Sequence, residues 1–206
     1  MTSRQTVALA GPAVIGVLVS GEGTNLQALI DESLPIAAVG SNRAGVRALR
    51  RAELAGIPTG VFDLDDYGSR EERDLALAGW LGRQWVRLVV LAGYMQLLTP
   101  GFLDRFPGSV VNVHPSLLPA FPGPHPIEDA LAAGVRTTGV TVHLVDEGVD
   151  TGPVIRQKPV PVEPRETLVE RIHALEHRLL PEVVRELLVA ASGPSPPVRG
   201  RREQYE

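Results

Sequence analysis

The chain of 206 residues contains no cysteine. That absence excludes disulfides, thiolate metal ligands and thiol nucleophiles together, and it fits a reducing, cytoplasmic setting. Basic residues are not in excess: the net charge is −4 and no basic stripe stands out. A nucleic-acid binder, whose affinity rests on neutralising phosphates, is therefore not expected. The apolar run "VALAGPAVIGVLVS" (7–20) is too short to span a bilayer. It is also interrupted by Gly11 and Pro12 and followed by no small-x-small cleavage site, so it reads as a ragged extension entering a buried strand, not as a leader. No internal repeat is present. What remains, 44% hydrophobic residues, is ordinary for a globular core. It suits one domain over 1–190, with a Pro-rich, charged tail over 191–206 expected to pack poorly.

Strand-like apolar runs alternate with helical patterns through the first half. Runs 13–20, 35–41, 57–63 and 86–94 read as strands, and 25–33, 44–56 and 69–84 as helices. Gly56 suits a helix C-terminus, and Ser69 an N-cap followed by acids in the first turn. The run "VRLVVLAGY" is apolar on both faces, as a central strand of a parallel sheet must be. This alternation predicts a doubly wound α/β half. The second half offers strands at 109–116, 137–146 and 152–162, a helix at 127–134, and a long helix over 166–190 interrupted or restarted at Pro181.

Three segments carry candidate chemistry. "GEGTNL" (21–26) ends the first strand and opens a helix, where backbone N–H groups and about half a positive charge favour a phosphate. No Lys follows the glycines, so it is not a Walker A loop. Leu26 stands where a dinucleotide loop has its third glycine, and "GSNRAG" (40–45) lacks the ribose-binding acid. Arg43 could still meet a 2′-phosphate, which keeps an NADP-binding reductase open beside a plain glycine turn. In "NVHPSLLP" (112–119), Asn112 and His114 share one strand face. An amide and an imidazole there can polarise a carbonyl and handle a proton, or can simply be a satisfied polar pair. In "HLVDEGVDTGPV" (143–154), the acids after His143 match no metal-ligand spacing and could orient or charge a histidine.

Taken in order, "SGEGTNLQALID", "LAGYMQLL", "NVHPSLLPAFPG" and "GVTVHLVDEGVDTGPVI" make the chain resemble the phosphoribosylglycinamide formyltransferases, folate-dependent enzymes of purine synthesis. The likeness runs from about Val14 to about Leu188. It implies a Rossmann-like fold with a mostly parallel sheet and helices on both faces. It further implies 10-formyltetrahydrofolate as co-substrate, no metal, small-molecule substrates, no nucleic acid or membrane partner, and a monomer or homodimer. Residue by residue, Gly23, Thr24, Asn25, Leu26 and Gln27 match the segment that holds the ribonucleotide. His173, Ala174, Leu175 and Glu176 match the segment at its glycinamide end. Arg70 and Met95, Gln96, Leu97 and Leu98 match the folate site, and Asp146, Glu147, Gly148, Val149 and Asp150 the loop over it. Asn112, His114 and Asp150 match the catalytic set. Two positions depart from the pattern: Gln96, where many relatives have Arg, and Ile127, often His. Neither Ile127 nor nearby His125 is placed in the catalytic set. A deformylase-like hydrolase remains the neighbouring alternative, although such enzymes carry an additional N-terminal domain.

The chemistry of these residue types agrees. Transfer of a formyl group to a primary amine passes through a tetrahedral oxyanion. Asn112 and a protonated His114 offer donors to it, each worth about 2.7–4 kcal/mol. A carboxylate beside the imidazole, Asp150, favours its charged form.

Overall fold

The computed structural model describes residues 14–191, with the side chain of residue 191 excepted. The expectations for 7–13 and for the tail after 191 lie outside the described residues. Seven strands form one sheet: β1 (Val14–Val19), β2 (Ile36–Ser41), β3 (Thr59–Val61), β4 (Val86–Leu91), β5 (Val110–His114), β6 (Thr137–Leu144) and β7 (Val154–Pro161). Their order is β3-β2-β1-β4-β5-β6-β7. Pairings from β3 through β5 are parallel, while β5–β6 and β6–β7 are antiparallel.

The helices cover both faces. On one face lie α1 (Thr24–Asp31), α2 (Arg47–Leu54), α5 (Pro126–Ala132) and α6 (Leu168–Ala191). Their Leu26, Leu29, Leu49, Leu131, Ile172 and Leu179 pack on Ile15, Val17, Val90 and Val111. On the other face are α3 (Arg70–Arg83) and α4 (Pro100–Leu103), which pack Leu77, Leu81 and Phe102 on Leu18, Val89 and Val110. Alternate residues of β1 thus serve opposite cores, as a two-sided buried strand requires. The expected Ser69 cap is present, its hydroxyl accepting from the Glu72 amide at 3.1 Å.

Two expectations change. Helix α6 runs unbroken through Pro181. An interior proline costs about 3 kcal/mol, but Leu179, Leu180, Val183 and Val184 around it are buried, at about 1.5–3 kcal/mol each, so packing outweighs the lost hydrogen bond. Helix α4 was not anticipated. Its single turn starts with Pro100 at the first helical position, where a missing N–H costs nothing.

The order of strands reverses beside β1, whose neighbours are β2 and β4. The loops after β1 and β4 therefore flank a crevice at the carboxyl ends of the strands, the usual ligand position in such sheets. They are tied together there: the Ser20 amide donates to the Gly93 carbonyl at 3.0 Å, and the Met95 amide to Ser20 Oγ at 2.9 Å.

Close approach of β6 to β7 sets one glycine. A Cβ on Gly139 would overlap the Lys158 carbonyl oxygen and the Leu117 side chain. Gly139→Ala is expected to lower unfolding stability by about 1–3 kcal/mol, measured as a reduced urea midpoint with an unchanged m-value.

Candidate active site

The loop after β1 is built for backbone contacts. Gly23 is the N-cap of α1 at φ 71, with no side chain capping the helix. A Cβ there would also meet Ala48 Cβ at 2.6 Å, so conformation and space both demand glycine. The first N–H groups of α1 thus have no side-chain partner, the arrangement that accepts an anion. Arg51 crosses behind the loop, donating to the Glu22 carbonyl at 2.9 Å and to Gln27 Oε1 at 3.1 Å. The Glu22–Arg47 pair nearby is exposed on both sides and adds little.

Helix α6 comes up against this loop. Asn25 Nδ2 donates to Glu176 Oε2 at 3.3 Å, joining the two segments matched to the ribonucleotide. Asn25 Oδ1 is buried with no hydrogen-bond partner. Burial pushes the Glu176 carboxyl up to about 7, against the lowering effect of Asn25. Leu26 and Leu175 turn their side chains into the core, while His173 and Ala174 are exposed. Thr24, Gln27 and His177 help line a cleft of about 370 Å³ beside the helix pair.

A second cleft, about 400 Å³, opens at the ends of β4, β5 and β6. It is lined by Met95, Gln96, Leu97 and Leu98 on one wall, by Asp146 through Asp150 on another, and by Asn112, His114 and His143 at its floor. Met95, Leu97 and Val149 present exposed apolar side chains to it. The far loop is shaped by Asp146, whose Oδ1 accepts from the Gly148 amide at 3.0 Å and from Thr151 Oγ1 at 2.7 Å. Arg70, exposed at the start of α3, does not line this cleft. Nor do His125, exposed as the N-cap of α5, and Ile127, which packs on the core.

Asp150 organises the floor. Its Oδ2 lies 3.4 Å from His114 Nδ1 and accepts from the Gly123 amide at 2.9 Å. Its Oδ1 lies 3.5 Å from His143 Nε2 and 3.4 Å from Asn112 Nδ2. Burial pushes the carboxyl up. The hydrogen bond of His143, the Gly123 amide and the charges of both histidines outweigh it and hold the group below its ordinary range. His114 Nε2 sits 2.8 Å from the Phe121 carbonyl. A carbonyl only accepts, so that nitrogen carries a proton, and a doubly protonated ring satisfies both Phe121 and Asp150.

His143 completes the site and was not in the expected catalytic set. Its Nδ1 donates to the Leu144 carbonyl at 2.8 Å, and its Nε2 faces Asn112 Nδ2 at 3.2 Å. A neutral ring accepts from the amide, while a protonated ring donates to Asp150. The sequence signal was its place ahead of the acidic loop. Its contact with Asn112 comes from antiparallel pairing, in which the two residues are directly opposite. Among the described residues, no group of three or more His, Asp or Glu is placed to hold a metal ion.

The family model described as "Formyl transferase" matches residues 14–184, which span the anion-ready loop after β1, helix α6 up to residue 184 and the carboxylate–histidine floor. The phosphoribosylglycinamide formyltransferase of Mycobacterium tuberculosis is 47% identical over 177 residues, covering 82% of each chain. The crystal structure of glycinamide ribonucleotide transformylase 1 from Symbiobacterium toebii superposes with TM-score 0.83 at 46% identity, covering 86% of this chain and 88% of the other. The trifunctional purine biosynthetic protein adenosine-3 of Gallus gallus is 47% identical over 188 residues, covering 87% of this chain. This chain spans only 18% of that protein's length. The chain belongs to the phosphoribosylglycinamide formyltransferase family.

The buried Glu176 generates a prediction. Its carboxyl is raised from 4.5 to about 7 in the folded chain, so the folded state binds the extra proton. Stability should therefore fall as pH rises from 4.5 to about 7 and level off above. Glu176→Gln should remove that slope, a difference on the order of 3 kcal/mol across the window, checked by urea unfolding at several pH values.

Proposed function

We propose that the chain transfers a formyl group from 10-formyltetrahydrofolate to the amine of phosphoribosylglycinamide, a step of purine biosynthesis, as a single catalytic domain over 1–190 in the cytoplasm. Its partners are small molecules, and it works as a monomer or homodimer. The observation that supports this best is the placement of Asp150 between His114 and His143, at the floor of a cleft with an apolar wall. The family's own names point the same way, and none of those reported names a nicotinamide reductase.

On this reading the substrate phosphate lies on the bare amides of Gly23 through Asn25, with the glycinamide end toward Glu176. The flat donor lies along 95–98 under the loop 146–150, which offer apolar surface and backbone polar groups in a cleft of ordinary ligand-site size. The formyl carbon is then within reach of Asn112 and His114. As the amine attacks, negative charge grows on the formyl oxygen. Protonated His114, charge-balanced by Asp150, donates to it. The Asn112 amide, whose hydrogens in the free protein face His143 and Asp150, donates to it as well once the bound formyl group offers a competing acceptor. The proton lost by the attacking amine moves to the leaving nitrogen through this group.

The test mixes the protein with phosphoribosylglycinamide and 10-formyltetrahydrofolate and follows the formyl group. Release of free formate without transfer would make the chain a hydrolase instead. His114→Ala should lower kcat by about a hundredfold or more, and near-normal turnover would refute its role. Nicotinamide binding in calorimetry, without folate binding, would favour the reductase.

A further inference from the structure

A second buried charge cluster lies outside the catalytic floor, on α3. Arg73 and Asp74 have side chains with 0% exposure. Arg73 Nε and Nη2 both donate to Asp74 Oδ1, at 2.9 and 2.6 Å. The remaining donor and acceptor leave the helix for one segment. Arg73 Nη1 donates to Gln96 Oε1 at 3.1 Å, and Asp74 Oδ2 accepts from the Thr99 amide at 2.8 Å. Gln96 folds back on its own turn, donating to the Met95 carbonyl at 2.9 Å. Met95 is in turn held by Ser20, whose hydroxyl donates to Asn42 Oδ1 at 2.6 Å. Segment 95–99 has no regular secondary structure, so these side chains supply the anchors a ladder would otherwise give.

Stability alone does not account for the pair. Burying two charges is costly, and an apolar pair of similar volume commonly does as well or better for folding. What an apolar pair cannot do is hold Gln96 and Thr99 at set places. Tyr94 marks the same boundary: its hydroxyl and Thr99 Oγ1 are buried without hydrogen-bond partners. Burial pushes the Tyr94 phenol up to about 12, opposed by Arg73.

We propose that Arg73 and Asp74 are positioning residues for the formyl-donor site: the ion pair clamps segment 95–99 at both ends, fixing the cleft wall against which the folate lies. This deepens the functional reading and rests on the cleft being the donor site. Neither residue lines the cleft, so each acts only through Gln96 and Thr99.

The experiment uses the full chain carrying Arg73→Met and Asp74→Leu together, so that no unpaired charge is left buried and folding survives. Two readouts are compared with wild type. Amide hydrogen exchange without ligand should show the Thr99 N–H exchanging at least about tenfold faster, with β4 and β5 unchanged. Steady-state kinetics should show KM for 10-formyltetrahydrofolate raised about tenfold or more, with KM for phosphoribosylglycinamide within about twofold. Unchanged Thr99 exchange would overturn the clamp, and faster exchange with an unchanged folate KM would overturn its role in donor positioning. A parallel rise in both KM values would mean a general structural role and overturn the proposal. Wild type that binds no reduced folate would instead overturn the reading of the cleft, and that control precedes any comparison.

Discussion

Between β5 and β6 the sheet stops being parallel, and the register of that one pairing builds the candidate site's floor. Asn112 is opposite His143, and His114 is opposite Thr141. A slip of one residue would turn every side chain of β6 to the other face. Thr141, fully buried, holds the register: its hydroxyl donates to the Ser116 carbonyl at 2.7 Å and accepts from the Leu118 amide at 3.2 Å and Gln157 Nε2 at 2.9 Å. Each such bond is worth only about 0.5–1.5 kcal/mol net, but leaving one of these buried groups unpaired costs about 1–3 kcal/mol. The Pro-rich loop after β5 is therefore tied to β6 and β7 by the same residue that fixes the strand pairing.

Charge is distributed in two very different ways over the molecule. Most ion pairs, such as Arg185–Glu32 and Arg50–Glu53, are exposed and set solubility more than fold. The buried charges gather at two places on either side of one cleft: the Asp150 group at its floor, and Arg73–Asp74 behind its wall. Low local polarity strengthens both, because field lines that water would screen run between fixed partners. A third buried group, Glu176, lies by the β1–α1 loop with a single side-chain partner, Asn25. Its environment favours the neutral acid, whereas Asp150 is surrounded by donors and stays charged. Two carboxylates at the same site region are thus tuned in opposite directions by what surrounds them.

Much of this was legible from the chain itself. Apolar runs located the central strands, because two-sided burial leaves no room for polar positions there, whereas β6 was read from its alternation and the mostly exposed β7 from its pairing with β6. The glycine loop, the Asn112–His114 pair and the acidic loop were each visible as residue types at meaningful spacings. What was not visible depended on contacts between distant segments. His143 needed its strand partner to be known before it could be joined to Asn112. Arg73 and Asp74 fall near the start of a segment read only as an amphipathic helix, and nothing local says that both side chains are buried. Pro181 misled for the complementary reason: local propensity argued for a break, and tertiary packing overrode it. Arg70 was placed in the folate site by resemblance; it is exposed and is not among the residues that line the cleft.

The backbone at Asp150 has one further consequence. Its φ of 54 lies in the left-handed region, which glycine, asparagine and aspartate occupy at little cost and most other residues do not. The same position holds the carboxylate that faces His114 and His143, so side chain and backbone conformation both favour aspartate there, and asparagine or glycine could take up the same backbone at little cost. Either replacement would keep the loop's backbone while leaving His114 and His143 without their shared anion. A change at this one position could therefore alter the charge of the floor without unfolding the chain, and would escape the quality control that removes misfolded protein.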